Sequence, residues 1–176
     1  MPTYNSRGLR GSALEEMINM SNDKYEEAGL ALIQKIPTPI TPIEIDHDTK
    51  QITLAYFDKK STVDYIGAVQ GIPVCFDAKE CNDDTFTLHN IHEHQINFMK
   101  EFEHQQGIAF FLLYYTKRDI FYYLTLEKLL QFHKRAEEGG RKSFTFDELD
   151  EEYFFKSKNG VLVPYLDKLN QDLQSR

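Results

Sequence analysis

The chain has 176 residues, 41% of them hydrophobic and 27% charged, with a formal net charge of −8; this is the length of one domain and enough to bury a core. No apolar run approaches the roughly 20 residues needed to span a bilayer and no apolar signal segment opens the chain, so a soluble cytoplasmic protein with no membrane partner is expected. The acidic balance argues against a simple nucleic-acid binder, whose phosphate contacts come from Lys and Arg, and Cys75 and Cys81, without CxxC spacing, suggest reduced thiols rather than a disulfide framework.

Residues 12–28 read as a helix, with Leu14, Met17, Ile18, Tyr25 and Ala28 on one face. Ser12 and Glu15 have capping-box spacing at its start, and Gly29 ends it. A short strand over 30–35 leads into the proline-punctuated IPTPITP, which excludes regular helix. Residues 43–57 look like a hairpin with HDTK at its tip, and residues 64–68 and 72–79 like a second hairpin about Gly71. In the latter strand Val74, Phe76 and Ala78 point one way, and Cys75, Asp77 and Lys79 the other. A helix over 90–106, capped from Asn90 and Glu93, carries an apolar stripe of Ile91, Phe98, Met99 and Phe102. His94 and Gln95 lie on that stripe and need partners there. The apolar run 108–115 reads as a central strand buried on both faces, paired with 120–124 across the turn TKRD. A helix near 126–138 follows, then an acidic stretch over 147–152 and a short amphipathic segment around 165–173. There is no internal repeat. The element order predicts an α/β fold, a mixed β-sheet flanked by helices, in a single domain spanning 1–176.

Chemistry concentrates in the second hairpin. Asp64, then Asp77 and Lys79 at the end of an apolar strand, form the skeleton of a metal-dependent nuclease. Two carboxylates can hold a divalent cation, and a nearby lysine can position or deprotonate the attacking water. Carboxylates with open water positions suit Mg2+, with Mn2+ as the alternative. The simpler reading is a surface salt bridge on a sheet edge. Glu15 is the candidate third carboxylate, although the capping box alone explains a Glu there; Glu16 is the fallback. Cys75 and Cys81 do not have the C-x2–4-C spacing of structural zinc, so His89, His92 and His94 have no matching cysteine pair. Lys35 and Arg141 read as solvated residues, or as phosphate contacts. The tyrosines at 114, 115, 122 and 123 are better explained by packing than by base stacking.

Eight stretches carry a family resemblance: RGSALEEMIN, ALIQKIPTPI, AYF, STVDYIGAVQG, FDAKE, FTLHNIHEHQINFMK, GIAFFLLYY and GRKSF. The chain resembles the RecU-type Holliday junction resolvases of low-GC Gram-positive bacteria and their phages. The resemblance implies a restriction-endonuclease-like core with a protruding β-hairpin stalk. It also implies a homodimeric, Mg2+-dependent endonuclease that makes paired nicks in four-way DNA junctions during recombination and repair. By the same resemblance Asp64, Asp77 and Glu15 match metal-binding acids, Lys79 the catalytic lysine, and Thr62 and Gln95 active-site neighbours. Arg10, Lys35, Lys50 and Arg141 are the candidate DNA contacts, and residues 40–57 match the stalk thought to enter the junction centre. A recombinase partner is implied by family analogy alone.

Two departures stand out. Where the family usually has Glu, this chain has Asp77, one methylene shorter, which requires the metal to sit closer or the strand to shift. Within 40–57 only Lys50 is cationic, against Glu44, Asp46 and Asp48. The competing expectations are a related nuclease acting on linear or flap DNA, and a non-catalytic DNA-binding module on a nuclease fold.

Overall fold

The computed structural model describes residues 13–57 and 62–176. Helix α1 (Ala13–Glu27) buries Leu14, Ile18 and Tyr25. Ser12, its expected cap, lies outside the described residues. Strand β1 (Ala31–Lys35) follows, then a hairpin of β2 (Ile40–Ile45) and β3 (Ile52–Phe57), and a second of β4 (Tyr65–Val69) and β5 (Ile72–Cys81). Beyond β6 (Thr85–Thr87) come α2 (Glu93–His104), β7 (Ile108–Tyr115), β8 (Ile120–Thr125), α3 (Leu126–Glu137), β9 (Ser143–Thr145), β10 (Phe154–Phe155) and α4 (Leu166–Ser175). Among the described residues no helix is long and apolar enough to cross a membrane.

The main sheet has the order β1-β4-β5-β7-β8-β10. Only β5 and β7 pair in parallel; the other neighbours are antiparallel. A parallel pair needs a long crossover, and α2 supplies it. This is the mixed, helix-flanked α/β sheet that the sequence predicts. Strand β7 is buried along nearly its whole length, as its unbroken apolar run requires. The β4–β5 turn consists of Gln70 and Gly71, at φ 48° and 87°. Two consecutive positive φ values are those of a two-residue type I′ hairpin turn, and that turn fixes the register of the two strands.

Alternation along β5 sends its side chains to two different layers. Phe76 stacks on Tyr65 and Phe110, with ring centroids 4.7 and 4.8 Å apart, and Tyr165 closes over them. Helix α1 lies on this side. Buried polar groups stitch it to the tail: Tyr165 Oη donates to Asn22 Oδ1 at 2.5 Å, and the Val163 amide donates to Ser21 Oγ at 2.9 Å. Satisfied in this way, Ser21 and Asn22 are compatible with a buried helix face. Helix α2 covers the opposite side, where Cys75 and Asp77 point. Both cysteines are free and buried.

Several elements differ from the sequence expectation. Helix α2 begins at Glu93 rather than near residue 90, because residues 88–90 form a 3-10 turn and His92 is the N-cap. Strands β6 and β9 form a separate two-stranded sheet, and β10 extends the main sheet past β8. Each is two or three residues long, too short to show an alternation.

The β2–β3 hairpin is a sheet of its own. Its pairing shifts about Ile43, where Pro42 cannot donate to the ladder. Asp46 Oδ1 accepts the amides of Asp48 and Thr49 at 2.9 and 3.0 Å and closes the tip. Ile43, Leu54 and Phe57 are 58%, 48% and 75% exposed.

Candidate active site

The register of the second hairpin builds the site. Tyr65 pairs with Phe76, so the next position places Asp64 opposite Asp77. Like charges directly across an antiparallel pair repel, and these two face the α2 side of the sheet. Asp77 is wholly buried, on a strand with neighbours on both sides. That excludes the surface salt bridge on a sheet edge.

Each carboxylate is partly satisfied. Asp77 Oδ2 accepts from Lys79 Nζ at 2.6 Å and from Gln95 Nε2 at 2.9 Å. Asp77 Oδ1 is buried with no hydrogen-bond partner among the described residues. Asp64 Oδ2 accepts the Ala78 amide at 3.2 Å. Burial, and then the neighbouring Asp77 carboxyl, push the Asp64 carboxyl up to about 7. Lys79, two residues along β5, reaches back to Asp77 from the same face.

Gln95 accounts for its place on a buried stripe by serving two partners. Its Oε1 accepts the His92 amide at 3.1 Å and caps α2, while its Nε2 donates to Asp77. The cap fixes the side chain that holds the carboxylate. His94 stacks on His92 with ring centroids 5.4 Å apart. Among the described residues no three of His, Cys, Asp and Glu are arranged to hold a metal.

Glu15 does not join the two aspartates in such a cluster. Its Oε2 lies 2.5 Å from Lys35 Nζ, so the candidate third acid and a candidate DNA contact form an ion pair. The Glu15 backbone carbonyl oxygen lies 3.4 Å from the hydroxyl of Tyr65, the residue next to Asp64 in the chain. The Tyr65 hydroxyl is pushed up by burial and then by the carboxylates of Glu15, Asp64 and Asp77. Thr62 is half-buried two residues before Asp64. Lys50 stands at the hairpin tip, φ 57°, in solvent. Arg141 pairs with Glu148 Oε2 at 3.0 Å, on a loop after α3. Arg10 lies outside the described residues.

One residue of the neighbourhood is missing from the sequence expectation. Glu80 Oε1 accepts the Leu14 amide at 3.1 Å, from the strand that carries Asp77 to the helix that carries Glu15. Local spacing carries no signal for it, because Glu80 is exposed and its partner lies 66 residues away in the chain.

The chemistry of the donor set fits a hard divalent cation. Two opposed carboxylates, one with an unpartnered buried oxygen, favour a ligand that takes oxygen donors and removes their repulsion.

A model of the family described as Recombination protein U matches residues 9–171. The Holliday junction resolvase RecU of Pediococcus pentosaceus is 40% identical, over 96% of this chain and 86% of that protein. The protein of the same name from Oceanobacillus iheyensis is 42% identical over 78% of this chain and 72% of its own length. The solved structure of Archaeoglobus fulgidus Hjc, a Holliday junction resolvase, covers 64% of this chain and 74% of its own at 8% identity and a TM-score of 0.37, a value too low to bear on the fold. With a family match over most of its length and relatives at this identity and coverage, the chain belongs to the RecU family.

Proposed function

We propose that this chain is a Holliday junction resolvase, a homodimeric endonuclease whose subunits nick opposing strands of a four-way DNA junction. The observation that carries the reading is the carboxylate pair itself: Asp64 and Asp77 held face to face, with Lys79 on Asp77 and one buried oxygen unpartnered. Mg2+ is the proposed cofactor and Mn2+ the alternative, held by Asp64 and Asp77. A divalent cation there neutralises the two acids and polarises a scissile phosphate.

The protein's own groups do the rest. Gln95 fixes the Asp77 carboxylate through a cap that is part of α2, so its geometry does not depend on a mobile side chain. Lys79 is three-quarters shielded from solvent and aimed by Asp77. Its ammonium orients the attacking water or stabilises charge developing on the phosphate as the bond to the 3′ oxygen breaks. Glu15, ion-paired with Lys35, is the proposed third acid, and it would help hold a cation that neutralises the leaving 3′ oxygen.

The hairpin supports the homodimer. Ile52, Leu54 and Tyr56 alternate along β3 and share a face, with Ile45 opposite Ile52. An exposed apolar face of this extent marks an interaction surface. A second copy of the hairpin is the occupant proposed here, with the nuclease core and stalk together forming one domain. The acidic Glu44, Asp46 and Asp48 leave Lys50 as the stalk's cation toward DNA.

Calorimetric titration with Mn2+ tests the cofactor. Binding by the native chain, lost in Asp77→Asn while a labelled junction is still bound, is the expected result. Equal Mn2+ binding by both chains would remove Asp77 from the metal site.

A further inference from the structure

Helix α1 is held at its start from a strand 66 residues away in sequence. The first amides of a helix have no partner inside it. The Leu14 amide is one of these, and Glu80 Oε1 takes it at 3.1 Å. An acid at this end also meets the positive end of the helix dipole. Glu80 is solvent-exposed, so burial does not explain its contact with the helix.

The next residue of the helix is Glu15, and it is held from a second direction. The Tyr65 hydroxyl lies 3.1 Å from Asn19 Oδ1 and 3.4 Å from the Glu15 carbonyl oxygen. The backbone before Glu15 is therefore tied to β5 and the backbone after it to β4. Those are the strands next to which Asp64 stands and on which Asp77 and Lys79 lie. Glu80 follows Lys79 directly, so the tether from the catalytic lysine to the helix of Glu15 is a single residue plus one hydrogen bond.

We infer that Glu80 is a positioning residue: by capping α1 through the Leu14 amide, it sets the distance of Glu15 from the Asp64, Asp77 and Lys79 cluster. The inference rests on the nuclease reading of that cluster. The Glu80 carboxylate serves as an oxygen acceptor, and Gln at this position retains one.

The test compares native chain, Glu80→Ala and Glu80→Gln on a labelled four-way junction in Mg2+ under single-turnover conditions. Junction affinity without divalent metal and hydrogen exchange at the Leu14 amide are measured beside it. Glu80→Ala is expected to slow cutting about 10- to 100-fold, the cost of misplacing one group of a preorganised site. Junction affinity stays at the native value, and the Leu14 amide exchanges faster. Glu80→Gln is expected to cut at close to the native rate. Combined with Glu15→Ala, the Glu80→Ala change should add no further loss, because one residue acts through the other.

Native cutting by Glu80→Ala overturns the inference, as does a Glu80→Gln chain as slow as Glu80→Ala, or an undiminished further loss in the double variant. A native chain that cuts no junction under any condition counts against the nuclease reading instead. Leu14 exchange in the same chains then still reports whether Glu80 holds the helix.

Discussion

Along β5 a charged side chain, Asp77, is completely buried, whereas along the β2–β3 hairpin Ile45, Ile52, Leu54 and Tyr56 stand in solvent. Folding normally does the reverse. A buried carboxylate is retained where it is paired or binds a cation. A contiguous exposed apolar face is retained where something covers it. The two regions are incomplete in opposite senses: the strand lacks positive charge and the hairpin lacks apolar surface. The difference teaches that the main sheet was shaped to bring acids together at the expense of local electrostatics. The hairpin was shaped to meet another surface at the expense of solubility. A two-stranded hairpin is marginal by itself, which makes a covered state the natural one for this element.

The largest effect expected is on the strand side of this contrast. Asp77→Asn removes the charge but keeps the shape, and should reduce junction cutting by at least about 10³-fold, the scale of losing a preorganised charged group. Junction binding in a gel-shift assay should survive. Lys79→Ala should behave in the same way. Retained cutting by either variant would show that the buried charge is structural.

The hairpin side predicts a change of assembly. Leu54→Ser combined with Ile52→Ser should weaken dimerisation by about tenfold or more for each side chain, since burying one such group contributes about 1.5–3 kcal/mol. Sedimentation velocity across a concentration series reads this directly. A native chain that is monomeric throughout would mean that the hairpin's apolar face meets DNA or another protein instead.

Gln95→Ala should be milder, a loss of about tenfold in cutting rate for one oriented hydrogen bond to a charged group. It should be accompanied by faster amide exchange at His92, whose cap is removed. Loss of cutting with no change in exchange would separate the two roles of this side chain.

The smallest effect is on stability. Burial, and then Asp77, raise the Asp64 carboxyl from its ordinary 3.8 to about 7. The folded chain therefore holds that proton more tightly than the unfolded chain does. The stability tied to it is full below about pH 4 and is lost as pH rises through about 7. In metal-free buffer Asp64→Asn should raise the melting temperature more at pH 8 than at pH 5. Raising a carboxyl from 3.8 to about 7 sets an upper bound of about 4 kcal/mol on the gain at pH 8, several degrees in a domain of this size. An equal gain at both pH values would mean that folding does not raise the Asp64 carboxyl.

Much of this was open to sequence reasoning. The apolar run of β7 and the parity of β5 place Asp77 and Lys79 on one face, but strands read as 64–68 and 72–79 leave the register open; the structure extends β4 to Val69, and the two-residue turn at Gln70 and Gly71 then sets Asp64 opposite Asp77. The stripe on α2 already demanded a partner for Gln95, and Asp77 is that partner. What the sequence did not carry was tertiary. The start of α2 was misplaced because Asn90 and Glu93 have plausible capping spacing, while the cap is formed by His92 and Gln95. Glu15 has capping-box spacing to Ser12, which lies outside the described residues, and its ion pair with Lys35 on β1 is a tertiary contact that spacing does not show. Glu80 caps the same helix from a strand far away in the chain, a contact for which local spacing gives no cue. Strands β6, β9 and β10 are short and depend on partners distant in sequence.

The central claim is that the opposed aspartates make this chain a metal-dependent resolvase, and one assay tests it most directly. A labelled synthetic four-way junction is incubated with the protein beside a linear duplex and a flap of matched sequence, with and without Mg2+. The account predicts symmetric nicks in the junction alone, only with metal, and none from Asp77→Asn. Tight junction binding with no cutting in Mg2+ or Mn2+ would contradict it and leave a DNA-binding module on a nuclease fold.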